Sequence, residues 1–515
     1  MFADRDDVSS TRRFSRRGLL GVGGGLLAAG ATGAAGVGLG RRSAAPSAAP
    51  APPEATPDRI RSYVTRPDLR IPVVETTVDG PVTDGLIFLT PAAGAGGRGP
   101  LIVDGDGEPV WFRQVAGPAD VAVDLRVQQL AGEPVLTWWE GAITSGIGGG
   151  EFVIADTAYR EITRIRADGD LPTDQHDFIL TDDGTALFFV YELVAADLST
   201  VGGITDGALY DGVVHEVEVD TGRTVRRWQA RDHVPLTESY ADPPADDRTR
   251  TPYDFFHPNS VDVDHDGHLL ISARHTWTVY KIDRESGAVL WRLGGKRSDF
   301  ALDEGADFSW QHDARRRSDG TIGIFDNRAG ISDEADQSRG LILAVDETGR
   351  TASVVRELPP PGNLLARTQG GVQELPGNRS FVGWGAEPHF SEYTADGTLV
   401  FAGHLPEDNG SYRAYRFDWT GRPSGRPAVV AEASSGDAVT VRVSWNGATE
   451  VASWQVRGGA QPDGSTVLGE ADPTGFETTV TVHGPVAYVV VDALDADRRT
   501  LASSVTVPVP PAEGT

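Results

Sequence analysis

A recurring phrase, in which an acidic turn leads into a short strand, constrains the fold of this chain more than any other feature. It occurs three times, each with an Asp, a Gly and a strand that carries a Trp: Asp104–Trp111, Asp220–Trp228 and Asp283–Trp291. Short β-branched or aromatic runs alternate with such turns throughout residues 69–423, which is typical of antiparallel strands. Self-similar strands predict stacked four-stranded blades, of which a region this long holds six or seven at about 40–50 residues each. Two or three separate sandwiches are the competing all-β interpretation, but no linker interrupts the repeated phrase.

The remaining sequence adds three segments to this predicted β-propeller. Residues 1–40 combine paired arginines with an apolar, small-residue stretch and are predicted to be an export signal, in which 15–20 (Ser-Arg-Arg-Gly-Leu-Leu) resemble the twin-arginine type. Residues 41–68 are a Pro/Ala-rich linker, and the propeller follows at 69–423. Alternating strands in residues 428–510 predict a small immunoglobulin- or fibronectin-like β-sandwich.

Net charge and the absence of Cys exclude several classes of partner and of site. The net charge of −28 argues against a nucleic-acid binder and against docking on anionic lipid. The absence of Cys excludes disulfides, cysteine nucleophiles, zinc–thiolate sites and iron–sulfur clusters. We expect an exported protein, extracellular or at the cell surface, that contacts a membrane only through an uncleaved N-terminal segment. The sequence leaves the oligomeric state open.

Two local motifs suggest ligands, but their surroundings argue otherwise. Residues 94–99 match the dinucleotide-binding glycine pattern, yet Pro100 and a second strand follow in place of the helix that would hold a pyrophosphate. Residues 262–267 (Asp-Val-Asp-His-Asp-Gly) resemble the start of a calcium loop, yet Ala273 stands where an EF-hand has Glu. We therefore expect a loop at the first motif and a tight turn between strands at the second, with a bound cation as the alternative there.

Three of the eleven histidines share a setting. His176, His257 and His312 each come just before a strand–turn–strand hairpin. In a propeller, equivalent positions of successive blades face the same central channel. These histidines are therefore predicted to converge on one small volume, although they are far apart in sequence.

Four phrases resemble the bacterial arylsulfate sulfotransferase family, and the resemblance runs from about Pro81 to Pro423. In order, they are Phe256-His257-x-Asn259-Ser260, Ser272-Ala-Arg274-His275, Trp310-Gln311-His312-Asp313 and Phe325-Asp326-Asn327. The resemblance implies an exported, six-bladed propeller that moves a sulfuryl group from an aryl sulfate to a phenol without a nucleotide sulfate donor. The absence of a P-loop agrees with this expectation.

The family's functional residues can be carried over to matching positions. The resemblance implies His312 as the nucleophile, Arg274 as the stabilising cation, and His176 and His257 as further channel histidines. A neutral imidazole can carry SO₃ reversibly, which gives ping-pong kinetics. A fixed guanidinium matches the oxygens of the transferred anion, and the other histidines can move protons to and from the phenols. Neither a metal nor an organic cofactor is expected.

Weaker candidates surround this set. Predicted substrate-binding residues are His275, Tyr253, Asn259 and Asn327. Four tryptophans could line the channel mouth or pack within blades: Trp138, Trp139, Trp310 and Trp384. Six other histidines are predicted to be structural or at the surface: His233, His265, His268, His389, His404 and His483.

Two other function classes remain open at this point. The first is a non-catalytic propeller that serves as a binding or adhesion module at the cell surface, because a fold does not determine a function. The second is a cofactor-dependent propeller enzyme such as a quinone dehydrogenase, although its usual channel ligands are not evident.

The chain also departs from the family in having no clear large N-terminal sandwich and in adding a C-terminal one.

Overall fold

The computed structural model describes residues 59–117, 121–169, 171–244, 251–328, 337–462 and 465–510. They belong to one compact unit. The predicted export signal, residues 1–40, and residues 41–58 of the predicted linker lie outside these ranges. Within them, no helix is both long and apolar enough to cross a bilayer.

The described residues are all β apart from three short 3-10 turns, at Ser199–Val201, Ala230–Asp232 and Leu236–Glu238. Three short strands come first: β1 (Ile60–Arg61), β2 (Ile71–Pro72) and β3 (Glu75–Val78). The next eleven are β4 (Leu86–Leu89), β5 (Leu101–Val103), β6 (Pro109–Phe112), β7 (Val121–Leu130), β8 (Glu133–Thr144), β9 (Ile147–Ala155), β10 (Glu161–Ile165), β11 (Thr173–Leu180), β12 (Thr185–Ala196), β13 (Gly207–Glu218) and β14 (Thr224–Gln229).

The second half of the propeller region contains strands of similar length. They are β15 (Pro258–Val263), β16 (Leu269–Ala273), β17 (Thr278–Ile282), β18 (Val289–Gly294), β19 (Ala301–Leu302), β20 (His312–Arg316), β21 (Ile322–Asp326), β22 (Arg339–Asp346), β23 (Thr351–Leu358), β24 (Gly371–Leu375), β25 (Arg379–Gly383), β26 (His389–Tyr393), β27 (Leu399–His404) and β28 (Tyr415–Phe417).

These strands form six antiparallel four-stranded meanders, which confirms the predicted β-propeller. Five of them run in chain order: β7–β10, β11–β14, β15–β18, β20–β23 and β24–β27. The sixth is completed from both ends of the region, because β28 pairs with β4 and is followed by β5 and β6. The early strand β3 also pairs with β27, at the outer edge of the last meander. The propeller is therefore closed twice by strands from opposite ends of its sequence.

The first strands of successive meanders lie next to one another around the centre. Contacts join β7 to β11, β11 to β15, β15 to β20 and β20 to β24. The Gln373 side chain joins β24 to β28, because its Nε2 donates to the Arg416 carbonyl and its Oε1 accepts from the Arg416 N–H, both at 2.8 Å. A ring of six first strands thus surrounds the axis.

Irregular pairing recurs in these first strands at the same level. The register shifts between Val123 and Arg126 in β7 and between His312 and Arg315 in β20, with similar shifts in β11 and β15. Asp124 and Asp313 take left-handed backbone conformations, with φ of 62° and 56°. Bulges of this kind re-aim side chains, so residues in these strands can turn toward the axis where regular alternation would point them away.

Three arginines and three aspartates fill the axis at this level. We call them the axial ion network: Arg126, Arg315, Arg413, Asp124, Asp177 and Asp313. Arg413, which is fully buried, lies 3.1 Å from Asp124, 3.2 Å from Asp177 and 3.3 Å from Asp313. Its Nη2 also donates to the Asn259 carbonyl at 2.9 Å. One side chain from the segment before β28 therefore contacts four of the first strands.

Asp177 is the carboxylate that all three arginines share. Arg126 lies 2.6 Å and Arg315 2.7 Å from its oxygens, and the Val261 N–H donates to it at 2.8 Å. Burial alone would raise the pKa of Asp177, but the charges of Arg315, Arg126 and Arg413 bring it below its ordinary value. Asp177 is therefore ionised, and the buried charges compensate one another.

The C-terminal residues form two further antiparallel sheets. Their strands are β29 (Ala428–Ala433), β30 (Ala438–Ser444), β31 (Ser453–Gly459), β32 (Thr466–Ala471), β33 (Glu477–His483), β34 (Tyr488–Leu494), β35 (Thr500–Ser503) and β36 (Val507–Pro508). One sheet contains β29, β30 and β33, and the other contains the remaining five. Valines from both sheets meet in one core around the buried Trp454. This region contacts the sixth meander and the meander β7–β10: Asn446 pairs with the backbone of Phe112 at 3.0 Å, and the Tyr159 hydroxyl donates to the Gly447 carbonyl.

The structure also places the two ambiguous motifs. Residues 94–99 lie in the loop between β4 and β5, and residues 264–267 form the tight turn between β15 and β16. At that turn the Lys281 ammonium lies 2.9 Å from Asp264 and 2.6 Å from Asp266. A cation supplied by the protein thus sits among the carboxylates that resembled a calcium loop.

The axial ion network predicts a strong effect of removing Arg413. Arg413→Leu leaves three buried carboxylates short of a partner, so we expect the free energy of unfolding in urea to fall by about 3–5 kcal/mol. Arg422→Leu is the control, because Arg422 pairs with Glu450 at an exposed position and its loss should change that free energy little. Equal effects of the two substitutions would contradict a central role for the network.

Candidate active site

Two histidines of the candidate site, and Tyr412 beside them, each come one residue before a member of the axial ion network. His176 precedes Asp177, His312 precedes Asp313 and Tyr412 precedes Arg413. Because their chain neighbours reach the axis, these three residues occupy equivalent positions next to the network. We call His176, His257, His275, His312 and Arg274 the histidine–arginine cluster.

Three imidazoles and a guanidinium form a continuous row. The ring centroids of His176 and His257 are 4.7 Å apart, and those of His257 and His275 are also 4.7 Å apart. The Arg274 Nη1 lies 2.9 Å from the His275 Nε2. The structure thus brings together residues from three separate segments, around positions 176, 257 and 274–275.

Each of these imidazoles is oriented by a hydrogen bond from its Nδ1. The His176 Nδ1 lies 2.5 Å from the Asp174 carboxylate, and the His257 Nδ1 bonds the Asp254 carboxylate. The His275 Nδ1 donates to the backbone carbonyl of Asp254, which leaves its Nε2 to accept from Arg274. In His176 and His257 the arrangement leaves Nε2 available for proton exchange.

His312 is held by a different partner. Its Nδ1 lies 2.7 Å from the Asn327 Oδ1, and the Asn327 amide nitrogen donates to the carbonyls of Ala366 and Gln369. Those two bonds turn the amide oxygen toward His312, so the Nδ1 is the donor and the Nε2 carries the lone pair. The Gln369 N–H lies 3.2 Å from that Nε2.

Burial and positive charge lower the pKa values of three imidazoles of the cluster, those of His257, His275 and His312. Burial lowers the pKa of His312 well below its ordinary value, and the nearby Arg274 lowers it further. Burial, His176 and Arg274 likewise lower the pKa of His257, and burial with His257 lowers the pKa of His275 to about 3. At neutral pH these three imidazoles are therefore unprotonated and can act as nucleophiles or bases.

Arg274 supplies the permanent cation of the cluster. Its guanidinium lies over the Trp310 ring, 4.7 Å from the centroid, and its Nη2 donates to the Arg367 carbonyl at 3.3 Å. Its Nε is buried and has no hydrogen-bond partner among the described residues. Arg274 therefore retains a donor that an anionic group could use.

Asp254, His257 and His275 also resemble a metal-binding set, because their ligand atoms lie within 4.8 Å of one another. Both Nδ1 atoms, however, are already bonded to Asp254, and the guanidinium of Arg274 adjoins His275. These contacts arrange the three residues as a hydrogen-bonded relay beside a fixed cation.

Two of the predicted substrate-binding residues have other roles. The Tyr253 hydroxyl donates to the Ala241 carbonyl, and its ring belongs to an apolar core. The Asn259 amide donates to the Gln311 carbonyl at 2.7 Å and joins neighbouring first strands. Asn327 and His275, in contrast, belong to the site.

Among the predicted tryptophans, Trp310 adjoins Arg274, whereas three are buried in apolar cores: Trp138, Trp139 and Trp384.

The sequence interpretation missed the carboxylates that orient the histidines. Asp174 lies two residues before His176 and Asp254 three residues before His257, so this spacing was a signal that could have identified them. Tyr412 and Gln369 carried no such local signal, because only the closed ring places them beside His176 and His312.

Comparisons with known proteins point to one family. The chain matches the family model described as arylsulfotransferase (ASST) over residues 126–405, more than half of its length. No curated protein matches it by sequence. A solved structure of unknown function from Bacteroides caccae aligns at 13% identity with a TM-score of 0.40, over 65% of this chain and 100% of that one. A catalytically inactive virginiamycin B lyase from Staphylococcus aureus aligns at 9% identity with a TM-score of 0.34, over 72% and 95%.

The structural likenesses are remote and do not bear on function. The family match, in contrast, spans every residue of the histidine–arginine cluster. The chain therefore belongs to the arylsulfotransferase family.

Proposed function

We propose that this protein transfers a sulfuryl group from an aryl sulfate to a phenolic acceptor through a covalent intermediate on His312. The observation that supports this proposal most is that a buried, neutral imidazole, His312, and a permanent cation, Arg274, lie close enough for the charge of Arg274 to lower the pKa of His312. Asn327 holds the His312 Nδ1–H, so the opposite nitrogen presents its lone pair. Arg274 offers positive charge for the sulfuryl oxygens without protonating that nitrogen.

In the first half-reaction, the His312 Nε2 attacks the sulfur of the aryl sulfate. An N–S bond forms, the S–O bond to the aryl group breaks, and the electron pair of that bond leaves on the phenolic oxygen. The Gln369 N–H, at 3.2 Å, faces the same nitrogen and must give way as the sulfur approaches. The product is an N-sulfo-imidazolium and a phenolate that then takes up a proton.

In the second half-reaction, an acceptor phenol loses its proton to an imidazole, for which we propose His176 or His257. The phenolic oxygen attacks sulfur, the N–S bond breaks, and its electrons return to the His312 Nε2. Asp174 and Asp254 stabilise the imidazolium that forms, because each already accepts a hydrogen bond from that ring. Donor and acceptor phenols therefore occupy the site in turn, which is ping-pong kinetics.

Removing the proposed carrier should abolish transfer. His312→Ala is expected to lower acceptor-dependent release of 4-nitrophenol from 4-nitrophenyl sulfate by at least about 1,000-fold, as for other covalent nucleophiles. Mass spectrometry of wild-type protein mixed with donor alone and quenched in base should show one added SO₃ on the peptide that contains His312. His483→Ala is the control, because that residue is exposed beside Asp437 in the C-terminal region. Unchanged transfer in His312→Ala would remove this mechanism.

The depressed pKa values predict an unusual pH dependence. The neutral imidazole is the reactive form, and burial lowers the pKa of His312 and of His257. Activity should therefore persist as pH falls through the range near 6.5 in which an ordinary histidine becomes protonated. We expect kcat/KM for the donor to change little between about pH 6 and 8. A twofold or greater loss with an apparent pKa near 6.5 would contradict the neutral state proposed for these rings.

We also propose that residues 1–40 direct export by the twin-arginine route. The proposal rests on the paired arginines and the apolar stretch that follows. Replacing Arg16 and Arg17 by Lys should retain a full-length precursor inside the cell, and immunoblots of cell and culture fractions would measure it. Undiminished export of the double variant would contradict this route.

A further inference from the structure

Two buried tyrosines flank His176 in nearly matched positions. The ring centroids of Tyr191 and Tyr412 lie 5.9 and 6.0 Å from that of His176, and each residue is 3% exposed. The Tyr191 hydroxyl donates to the Pro258 carbonyl at 2.9 Å. The Tyr412 hydroxyl is buried and has no hydrogen-bond partner in the described part of the chain. An unpaired buried hydroxyl costs stability, so its presence needs an explanation.

The position of Tyr412 relates it to the reacting groups. Tyr412 precedes Arg413 as His312 precedes Asp313 and His176 precedes Asp177, so it occupies the equivalent place in its own blade. Its carbonyl accepts from the Gly370 N–H at 3.0 Å, next to the Gln369 N–H that faces the His312 Nε2. The ring of Tyr412 therefore adjoins His176, and its backbone bonds the segment that faces the proposed carrier.

The ring of Tyr412 is held in place by its neighbours. The Arg413 guanidinium lies over it, 5.0 Å from the centroid, and an apolar core that includes Trp139 and Phe178 packs around it. Burial raises the pKa of Tyr412 well above its ordinary value, which the charge of Arg413 only partly offsets. The hydroxyl thus stays protonated and is a fixed hydrogen-bond donor.

We propose that Tyr412 is a catalytic residue that donates a hydrogen bond to the phenolic oxygen of the substrate. This inference rests on the proposed function. When the S–O bond breaks, negative charge develops on that oxygen, and the three neutral imidazoles with depressed pKa values are poor acids. Arg274 would bind the sulfuryl oxygens and Tyr412 the oxygen that separates from sulfur. The hydrogen bond would then matter most for weakly acidic phenols, whose oxygens need this donor most.

A series of aryl sulfates whose leaving phenols differ in pKa tests the proposal. Tyr412→Phe removes only the hydroxyl oxygen, so its rate loss should grow with the pKa of the leaving phenol. A hydrogen bond to a charged group is worth about 10- to 100-fold in rate. We therefore expect a loss of about 10- to 100-fold in kcat/KM for 4-methylphenyl sulfate, and only a few-fold loss for 4-nitrophenyl sulfate.

Tyr191→Phe is the matched control. It removes the same atom from a ring whose centroid lies at nearly the same distance from that of His176, but that hydroxyl is already bonded to the Pro258 carbonyl. We expect Tyr191→Phe to lower Tm and to keep the wild-type dependence on leaving-group pKa. Tyr412→Phe should leave Tm unchanged or raise it, because it removes an unpaired buried group. If Tyr412 were merely structural, Tyr412→Phe would lower Tm and keep the wild-type dependence on leaving-group pKa.

The outcomes separate this inference from the function on which it rests. Wild-type protein that transfers no sulfuryl group to any phenol would remove the proposed function and this role together. Wild-type protein that transfers, with parallel leaving-group dependences for Tyr412→Phe and wild type, would overturn the role of Tyr412 alone. A steeper dependence in Tyr412→Phe, together with an undiminished Tm, would support it.

Discussion

The interaction on which the rest of this structure depends is the buried contact of Arg413 with three aspartates at the propeller axis. Buried charges are costly unless each is paired and hydrogen-bonded, and here one guanidinium contacts Asp124, Asp177 and Asp313. Because these partners come from different blades, Arg413 can contact all three only when the ring of first strands is complete. Arg413 comes from the segment just before β28, the strand that joins the end of the propeller to its beginning. Ring closure and charge compensation therefore coincide.

The axial ion network directly adjoins the candidate site. His176 and His312 are chain neighbours of network aspartates, so the contacts that lock the axis also set the positions of the proposed base and the proposed carrier. The bulges in β11 and β20 are part of this arrangement, because regular alternation would point one residue of each pair away from the axis. The site then places neutral imidazoles beside a cation that cannot be neutralised. That combination suits a sulfuryl group, which stays anionic throughout its transfer.

The outcome for individual residues shows how far local pattern could lead. Asn327 and His275 were predicted to bind substrate, and both lie in the site. Tyr253 and Asn259 were predicted to do the same, but their side chains donate to backbone carbonyls. Nothing local separates these pairs, because whether a polar side chain faces a channel or a neighbouring strand depends on packing. Lys281 illustrates the same limit. The acidic motif at residues 262–267 resembled a cation loop, but the cation that meets Asp264 comes from β17.

The sequence by itself determined the all-β class, the repeated meander and the histidines whose spacing follows the blades, because strand period and turn chemistry are local properties of the chain. It also carried the phrases that identified the family. Only the tertiary structure decided which groups meet: the pairing of β28 with β4, the three aspartates around Arg413, and the ring of Tyr412 next to that of His176. These contacts join residues that are far apart in sequence. These contacts form only when the ring is closed and the groups are buried, so a short segment of sequence cannot reveal them.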